Sequence, residues 1–204
     1  VGFGVCYYTN GSDFRSGFSG SIVIGSKAMS DDTYNPQHIE FPATIIGHEA
    51  GFSNFGTRQS IFIGFQCGYY FRDKEVTIQN DYVGNIFIGY QIAGDPTAQF
   101  SGSQNTFIGY QASHTINISN RSTAIGYRAM YNANGGDTND CVVIGSNAGA
   151  SVVDAGQTAN IIIGANADSI GLSSVVIGSG ASSAKDGNIV IGQATSATGG
   201  NIVI

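Results

Sequence analysis

The sequence predicts an all-β protein, a parallel β-solenoid of about eleven coils, from its repeat, its spacing and its composition. An apolar triplet that ends in isoleucine and runs into glycine occurs ten times, and an eleventh copy stands at residues 202–204. The glycines lie 14 to 25 residues apart, which is typical of proteins in which each repeat adds one coil. The 30 glycines, 3 prolines and absence of tryptophan suit a chain of short strands and turns. The glycines that close the triplets are Gly25, Gly47, Gly64, Gly89, Gly109, Gly126, Gly145, Gly164, Gly178 and Gly192.

Each position of the repeat has an expected place. Residues two apart share a face of a strand, so the first and third residues of a triplet point one way and the middle residue the other. The third residue is isoleucine in every copy, and we expect it inside the coil, stacked on its equivalents. The glycine provides a backbone conformation or a close approach that a side chain forbids. A small residue three positions later, usually alanine, fits a tight corner. Asparagine before several triplets predicts hydrogen bonds between successive coils.

The middle position is never polar, so the strand is apolar on both sides and needs a second layer over it. At about 4.8 Å per coil, eleven coils make a stripe on the order of 50 Å long. A soluble monomer rarely exposes so much apolar surface. Either the rest of each coil covers the stripe or identical chains pack on it, and we favour a homo-oligomer, a parallel homotrimer around the fibre axis. The predicted oligomer interface is Val23, Ile45, Phe62, Phe87, Phe107, Val143, Ile162, Val176 and Val190.

The chain is predicted to be a single repeat domain, 1–204, with two unlike parts. All 12 phenylalanines and all 10 tyrosines lie at or before Tyr131, so long aromatic-rich repeats occupy 1–131 and lean shaft repeats occupy 132–204. Tyr90, Tyr110 and Tyr127 each follow a repeat glycine, and we expect them to form a packed ladder. Aromatic side chains on loops anchor sugars and protein partners. The candidate adhesion residues are Tyr34, Tyr69, Tyr70, Phe71 and Phe100.

Two groups of repeats resemble known families. Residues 105–112, Asn-Thr-Phe-Ile-Gly-Tyr-Gln-Ala, and the copies at 89–91 and 126–129 resemble the N-T-A-I-G-Y-Q-A repeats of phage tail-fibre and related viral fibre proteins. Residues 174–181 are similar to the head repeats of trimeric autotransporter adhesins, although most of the present repeats are longer. The resemblance implies a left-handed β-roll that trimerises. It also implies an extracellular, non-enzymatic structural and adhesive fibre segment on a virion or cell surface, with a cell-surface glycan or protein as receptor.

Composition and spacing argue against several other classes. The net charge of −6 disfavours nucleic acid, and no apolar run is long enough for membrane insertion. Cys6, Cys67 and Cys141 lack metal-ligand spacing, and Cys67 occupies an alanine slot, which favours a small buried thiol. Asp31, Asp32 and Asp137 are interpreted as solvated turn acids. We therefore predict no metal and no cofactor.

An enzyme remains the main alternative. Ile-Gly-x-x-Ala is also the core of the hexapeptide repeat of left-handed β-helix acyltransferases, which use a histidine as general base. Those enzymes need three contiguous hexapeptides per coil, whereas one copy occurs per coil here. His48 is the histidine nearest a repeat glycine, and we interpret it as a surface or turn residue. His38 and His114 are the other histidines.

Two further expectations concern the surface and the ends. Sequons at Asn10, Asn117 and Asn120 are candidate glycosylation sites if a glycosylating host secretes the protein. The triplet at 202–204 is an unfinished repeat, and residues 1–4 resemble the end of one. We therefore expect either a longer native chain or a self-stacking extracellular filament subunit, because open sheet edges invite further pairing.

Overall fold

The computed structural model describes residues 22–28, 43–52, 57–69, 82–95, 100, 102–116, 118–132, 137–150, 158–200 and 202–204. These residues form strands, turns and bends and no helix, which confirms the all-β prediction. None of them therefore belongs to a helix that could cross a membrane.

Eleven strands that each carry a triplet make one parallel sheet, consistent with a β-solenoid. In chain-order numbering they are β1 (Ile22–Ile24), β2 (Thr44–Ile46), β4 (Ile61–Phe65), β6 (Ile86–Tyr90), β7 (Thr106–Tyr110), β9 (Thr123–Ile125), β11 (Val142–Ile144), β12 (Ile161–Ile163), β14 (Val175–Ile177), β16 (Ile189–Ile191) and β18 (Ile202–Val203). The remaining described strands are β3 (Thr57–Arg58), β5 (Tyr82–Val83), β8 (Ile118–Asn120), β10 (Asp137–Asn139), β13 (Asp168–Ser169), β15 (Ser182–Ser183) and β17 (Ser196–Ala197).

The triplets stack in register, residue on equivalent residue. Phe62 pairs with Phe87 and Phe87 with Phe107, and the glycines that follow pair in the same way. Three smaller parallel sheets, β3–β5, β8–β10 and β13–β15–β17, pair other segments of successive coils. Among the described residues, the coils that contribute to these smaller sheets are therefore hydrogen-bonded to each other at a second point, outside the main sheet.

The repeat glycine is required for both of the predicted reasons. Gly109 has φ of +141°, a conformation that side chains disfavour. A Cβ on Gly109 would also collide with the carbonyl oxygen of Gly126 in the next coil. At Gly145 the same hypothetical atom would lie 2.6 Å from the carbonyl oxygen of Gly164. Close backbone stacking thus fixes glycine at this position of the coil.

The interior of the coil is filled by the middle position of the triplet, which reverses one prediction. The third-position isoleucines point outward, as at Ile24, which is 44% exposed. The prediction that they fill the coil is wrong. The residues predicted as the oligomer interface lie instead in the core of their own chain, each 5% exposed or less: Val23, Ile45, Phe62, Phe87, Phe107, Val143, Ile162, Val176 and Val190.

The cover over the middle position comes from the rest of each coil. Phe100 packs edge-on against Phe87, with ring centroids 5.6 Å apart, and Ile116 and Met130 belong to the same buried cluster. The small residues three positions after the glycine are also buried, which confirms the tight corner. A charged residue at Phe87 would therefore unfold the chain, because it buries an unpaired charge, rather than separate subunits.

A buried polar ladder precedes the triplets and confirms the predicted cross-coil hydrogen bonds. The Asn105 amide donates from Nδ2 to Asn85 Oδ1 at 3.1 Å. In later coils serine alternates with asparagine: the backbone N–H of Ser174 donates to Asn160 Oδ1 at 2.8 Å, and that of Asn188 to Ser174 Oγ at 3.3 Å. These bonds satisfy polar groups that would be costly to bury alone.

Candidate functional site on the outer face of the sheet

The outer face of the eleven-stranded sheet carries three rows of side chains. They are the first position of each triplet, the third position, and the residue after the glycine, as the outward positions of β4, β6 and β7 show. We call the third-position row the isoleucine ladder; its members are Ile24, Ile46, Ile63, Ile88, Ile108, Ile125, Ile144, Ile163, Ile177, Ile191 and Ile204.

The isoleucine ladder and the first-position row form a continuous apolar band. Ile22, Ile161 and Ile191 are each more than a third exposed, and the remaining first positions are isoleucine, valine or threonine. With eleven strands about 4.8 Å apart and the two rows about 7 Å apart along each strand, the band is about 50 Å long and about 10 Å wide, or roughly 500 Å². The largest patch on a typical monomer is roughly 300–600 Å². The sequence thus correctly predicts a long apolar stripe, but the stripe lies on the opposite side of the strand.

In the coils of β2, β4, β6, β7 and β9, the residues that follow the repeat glycine form an aromatic ladder of His48, Phe65, Tyr90, Tyr110 and Tyr127. The rings stack in sequence with centroids 5.4, 5.2, 4.8 and 5.3 Å apart and interplanar angles of 23° or less. This confirms the packed ladder predicted for the three tyrosines. The guanidinium carbon of Arg128 lies 5.4 Å from the Tyr127 ring centroid and closes one end of the ladder.

A chain of side-chain hydrogen bonds runs beside the aromatic ladder, and we call it the glutamine chain. Its members stand two residues after the repeat glycines: Lys27, Glu49, Gln66, Gln91, Gln111 and Arg128. Arg128 Nε donates to Gln111, Gln111 Nε2 to Gln91, Gln91 Nε2 to Gln66, and Gln66 Nε2 to Glu49, at 3.1, 2.9, 2.9 and 2.8 Å. Lys27 Nζ donates to Glu49 from the other side at 3.1 Å.

The geometry of the glutamine chain follows from the turn on which it stands. All six residues have φ between 51° and 56°, so their side chains leave the corner in the same direction. This chain was not predicted from the sequence. The signal was nevertheless present: Gln66, Gln91 and Gln111 occupy the same position of the repeat, with an acidic residue at that position in the preceding coil and a basic residue in the following coil. The donors all point toward Glu49, which places a negative charge at the acceptor end of the amide row.

Glu49 is the electrostatic focus of this surface, with its side chain only 12% exposed. Burial alone would raise the pKa of Glu49, but the hydrogen bonds from Gln66 and Lys27 and the charges of His48 and Lys27 outweigh it. The pKa of Glu49 therefore lies below its ordinary value. The carboxylate is held in its charged form and joins the first two described coils to the third.

The predicted adhesion residues separate in the structure. Tyr69 is half-buried and stacks on Phe52, with centroids 4.8 Å apart and an interplanar angle of 8°. Phe100 is 0% exposed, so its prediction as a surface contact is wrong. It fills the coil between Phe87 and Phe107 because the long repeats need a large residue to complete their interior. Tyr34, Tyr70 and Phe71 lie outside the described residues.

The sequon at Asn120 is engaged in the fold. Asn120 Nδ2 donates to Asn139 Oδ1 in the next coil at 3.0 Å, and Ser122, the hydroxyl residue of the sequon, is buried. Attachment of a glycan at Asn120 Nδ2 would require Asn120 and Ser122 to leave the stack of coils. In the folded chain Asn120 is therefore not accessible for glycosylation. Asn10 and Asn117 lie outside the described residues.

The described histidines and thiols occupy structural positions. His48 is exposed and belongs to the aromatic ladder, which confirms its interpretation as a surface residue. The His114 ring stacks on the Tyr131 ring with centroids 5.4 Å apart. Burial lowers the pKa of His114; the charge of Asp95 raises this pKa, and the charge of Arg128 lowers it further. Burial raises the pKa of Cys67 to about 11, and its Sγ contacts the carbonyl oxygen of Gly89 at 3.0 Å, which confirms a buried thiol.

Comparison with known proteins leaves the surface itself as the guide to function. No protein-family model, no curated protein and no solved structure matches this chain. Within the described ranges, no group of three or more histidine, cysteine and acidic side chains is placed to hold a metal ion. The features left to explain are the apolar band, the aromatic ladder and the glutamine chain.

Proposed function

We propose that this chain is a non-enzymatic structural and adhesive segment of an extracellular fibre, exposed on a virion or cell surface, that assembles as a parallel homotrimer. The observation that carries the proposal is the isoleucine ladder, which continues across all eleven strands of the sheet on its solvent side. The likeness of the repeats to viral fibre and adhesin-head repeats supports the same assembly.

The size and uniformity of the apolar band suit contact with a second copy of the same chain. Its roughly 500 Å² would supply more than half of the 800 Å² or so that each partner contributes to a standard interface. Identical β-branched side chains at a regular spacing can interdigitate with the same row on another subunit, as in other dry sheet interfaces. A parallel arrangement aligns each coil with its equivalent, so that three outward bands meet on one axis.

The aromatic ladder supports a structural interpretation of His48 over a catalytic one. The residues in the same slot of the following coils are Phe65, Tyr90 and Tyr110, and the His48 imidazole stacks on Phe65 as they stack on one another. The general base of an acyltransferase would need a substrate site within reach of its imidazole, whereas the His48 imidazole packs against the Phe65 ring. Adhesion to a glycan or protein receptor is assigned to the aromatic part of the chain, where Tyr69 lies against Phe52.

The test is the mass of the protein in solution, measured by sedimentation and light scattering. Ile108→Lys places a charge on the outer band, and we expect it to convert a trimer into monomers with an unchanged β-type circular dichroism spectrum. Gln104→Lys is the matched control, because Gln104 lies on the same coil, is exposed, and stands outside the band. A monomeric native protein would contradict the proposal, and a dimer would retain the interface but reject the trimer.

A further inference from the structure

The three tyrosines of the aromatic ladder are placed on one another by the backbone. Strands β6 and β7 pair Tyr90 with Tyr110, and the rings lie 4.8 Å apart and within 2° of parallel. Tyr110 and Tyr127 stack at 5.3 Å and 12°. Because equivalent residues of parallel coils point the same way, each tyrosine ring faces the ring of its neighbour.

The ladder is open to reagents from outside. Tyr90, Tyr110 and Tyr127 are 37%, 42% and 47% exposed, since each ring gives its faces to the stack and its edge and hydroxyl to solvent. Coupling at the ortho carbons joins two rings edge to edge, so it requires rotation about the side-chain bonds, which the open edge of the ladder permits. Other described tyrosines have different partners: Tyr69 stacks on Phe52 and Tyr131 on His114, neither of which is a phenol.

We propose that Tyr90, Tyr110 and Tyr127 form a site of oxidative modification, at which a one-electron oxidant joins tyrosines of successive coils as dityrosine. This goes beyond the proposed fibre function and does not depend on trimer assembly, because both partners of each crosslink belong to one chain. The oxidant class is a haem peroxidase supplied with hydrogen peroxide.

The chemistry balances with that oxidant alone. Each of two tyrosines loses one electron and its phenolic proton, which gives two phenoxyl radicals. Their ortho carbons form one carbon–carbon bond, and the hydrogen on each of those carbons moves to the neighbouring oxygen, which restores both phenols. One hydrogen peroxide accepts the two electrons and two protons and becomes two waters. The chain loses two hydrogens per crosslink.

A crosslink of this kind would fasten neighbouring coils on the outside of the solenoid, where the parallel stack is otherwise held by hydrogen bonds and packing. Tyr110 is the essential partner, because it is the neighbour of both other tyrosines. Tyr90 and Tyr127 are two coils apart, about 10 Å, which is too far for direct bonding.

Three variants with equal numbers of tyrosines test the proposal: Tyr90→Phe, Tyr110→Phe and Tyr127→Phe. Phenylalanine preserves the stack, as Phe65 on Tyr90 shows at 5.2 Å and 9°, but it cannot form a phenoxyl radical. We expect dityrosine fluorescence and the loss of two hydrogens in the native protein, Tyr90→Phe and Tyr127→Phe. Tyr110→Phe should lose the ladder crosslink.

Trypsin locates the bond. It cleaves after Lys74, Arg121 and Arg128, so a Tyr110–Tyr127 crosslink joins peptide 75–121 to peptide 122–128. That joined species should appear in the native protein and Tyr90→Phe and be absent from Tyr127→Phe and Tyr110→Phe. It should persist in the Ile108→Lys variant whether or not that variant dissociates, which separates this proposal from the assembly proposal.

Three results would overturn it. The first is equal dityrosine in all three phenylalanine variants, which would mean that coupling is random. The second is crosslinks found only between chains in denaturing gels. The third is the absence of dityrosine under conditions in which free tyrosine couples.

Discussion

The coils around β4, β6 and β7 and the coils around β14 and β16 share one strand pattern but fill their interiors differently. In the first group Phe62, Phe87 and Phe107 stack with centroids 4.9 and 5.1 Å apart, and Phe100 packs edge-on against two of them. In the second group valines occupy the same position, in repeats of 14 residues. The comparison shows that the middle position changes from phenylalanine in these long repeats to valine in the short ones, while the outer isoleucine ladder stays constant.

The two groups also differ in how the outside of one coil is joined to the next. The aromatic ladder and the glutamine chain both end near Arg128. In the later coils the residue after the glycine becomes Ser146, Ala165, Ser179 and Gln193. There the described coils are held by backbone hydrogen bonds and by buried asparagine and serine. We therefore expect side-chain substitutions to change the free energy of unfolding more in the coils around β4, β6 and β7 than in the coils around β14 and β16.

The largest difference is expected between two glycines of equal conformation. Gly109→Ala adds a strained φ and a collision with the backbone of the next coil, and we expect it to cost about 5 kcal/mol of unfolding free energy or to prevent folding. Gly192→Ala has the same φ strain, but its Cβ meets the Thr195 side chain at 3.0 Å, so about 1–3 kcal/mol is expected. Denaturant unfolding followed by circular dichroism measures both. Equal losses would show that the close approach of the backbones is unimportant.

Core truncation should give the next largest contrast. Phe87→Ala removes a ring that contacts three other phenylalanines and should cost about 3–5 kcal/mol. Val176→Ala removes two methyl groups from a narrow coil and should cost about 1–2 kcal/mol. The measurement is again the free energy of unfolding, with the mass in solution as control. If Phe87→Ala dissociated subunits without loss of stability, the assignment of the middle position to the interior would be wrong.

The smallest effect is expected from pH, through the carboxylate of Glu49 on the glutamine chain. Because the folded-state pKa of Glu49 lies below its ordinary value, the carboxylate stabilises the fold above the ordinary carboxyl pKa of 4.5. That stabilisation is lost as the pH falls below 4.5 through the folded-state pKa. Glu49→Gln keeps an acceptor for Gln66 but removes the charge, so the variant should show a weaker acid dependence of stability. An identical pH profile for native protein and variant would contradict the role given to Glu49.

Much of the fold was predictable because its cause is local and repeated. Three features recur at fixed offsets in the repeat: the glycine, the small corner residue, and the tyrosines after Gly89, Gly109 and Gly126. In a stacked coil, residues at the same offset lie at the same place in every coil, so each offset predicts one position in the structure. The glutamine chain is equally regular, but glutamine has no strong preference for a left-handed corner, so its spacing alone does not indicate the direction of the side chains. Phe100 was misassigned because an aromatic residue in a long repeat looks the same whether it covers a core or faces solvent.

The sequence by itself determined that the triplets stack in register, that glycine closes each strand, and that the strand is apolar on both sides. Only the tertiary structure decided which side is the interior. Alternation with a period of two is symmetric, so a strand such as Ile86-Phe87-Ile88 gives no sign of which face is covered. The decision depends on which side the rest of each coil covers: it closes over Phe87 in a long repeat and over Val190 in a short one, and both are fully buried. The constant isoleucines are left outside, where their surroundings do not change from coil to coil.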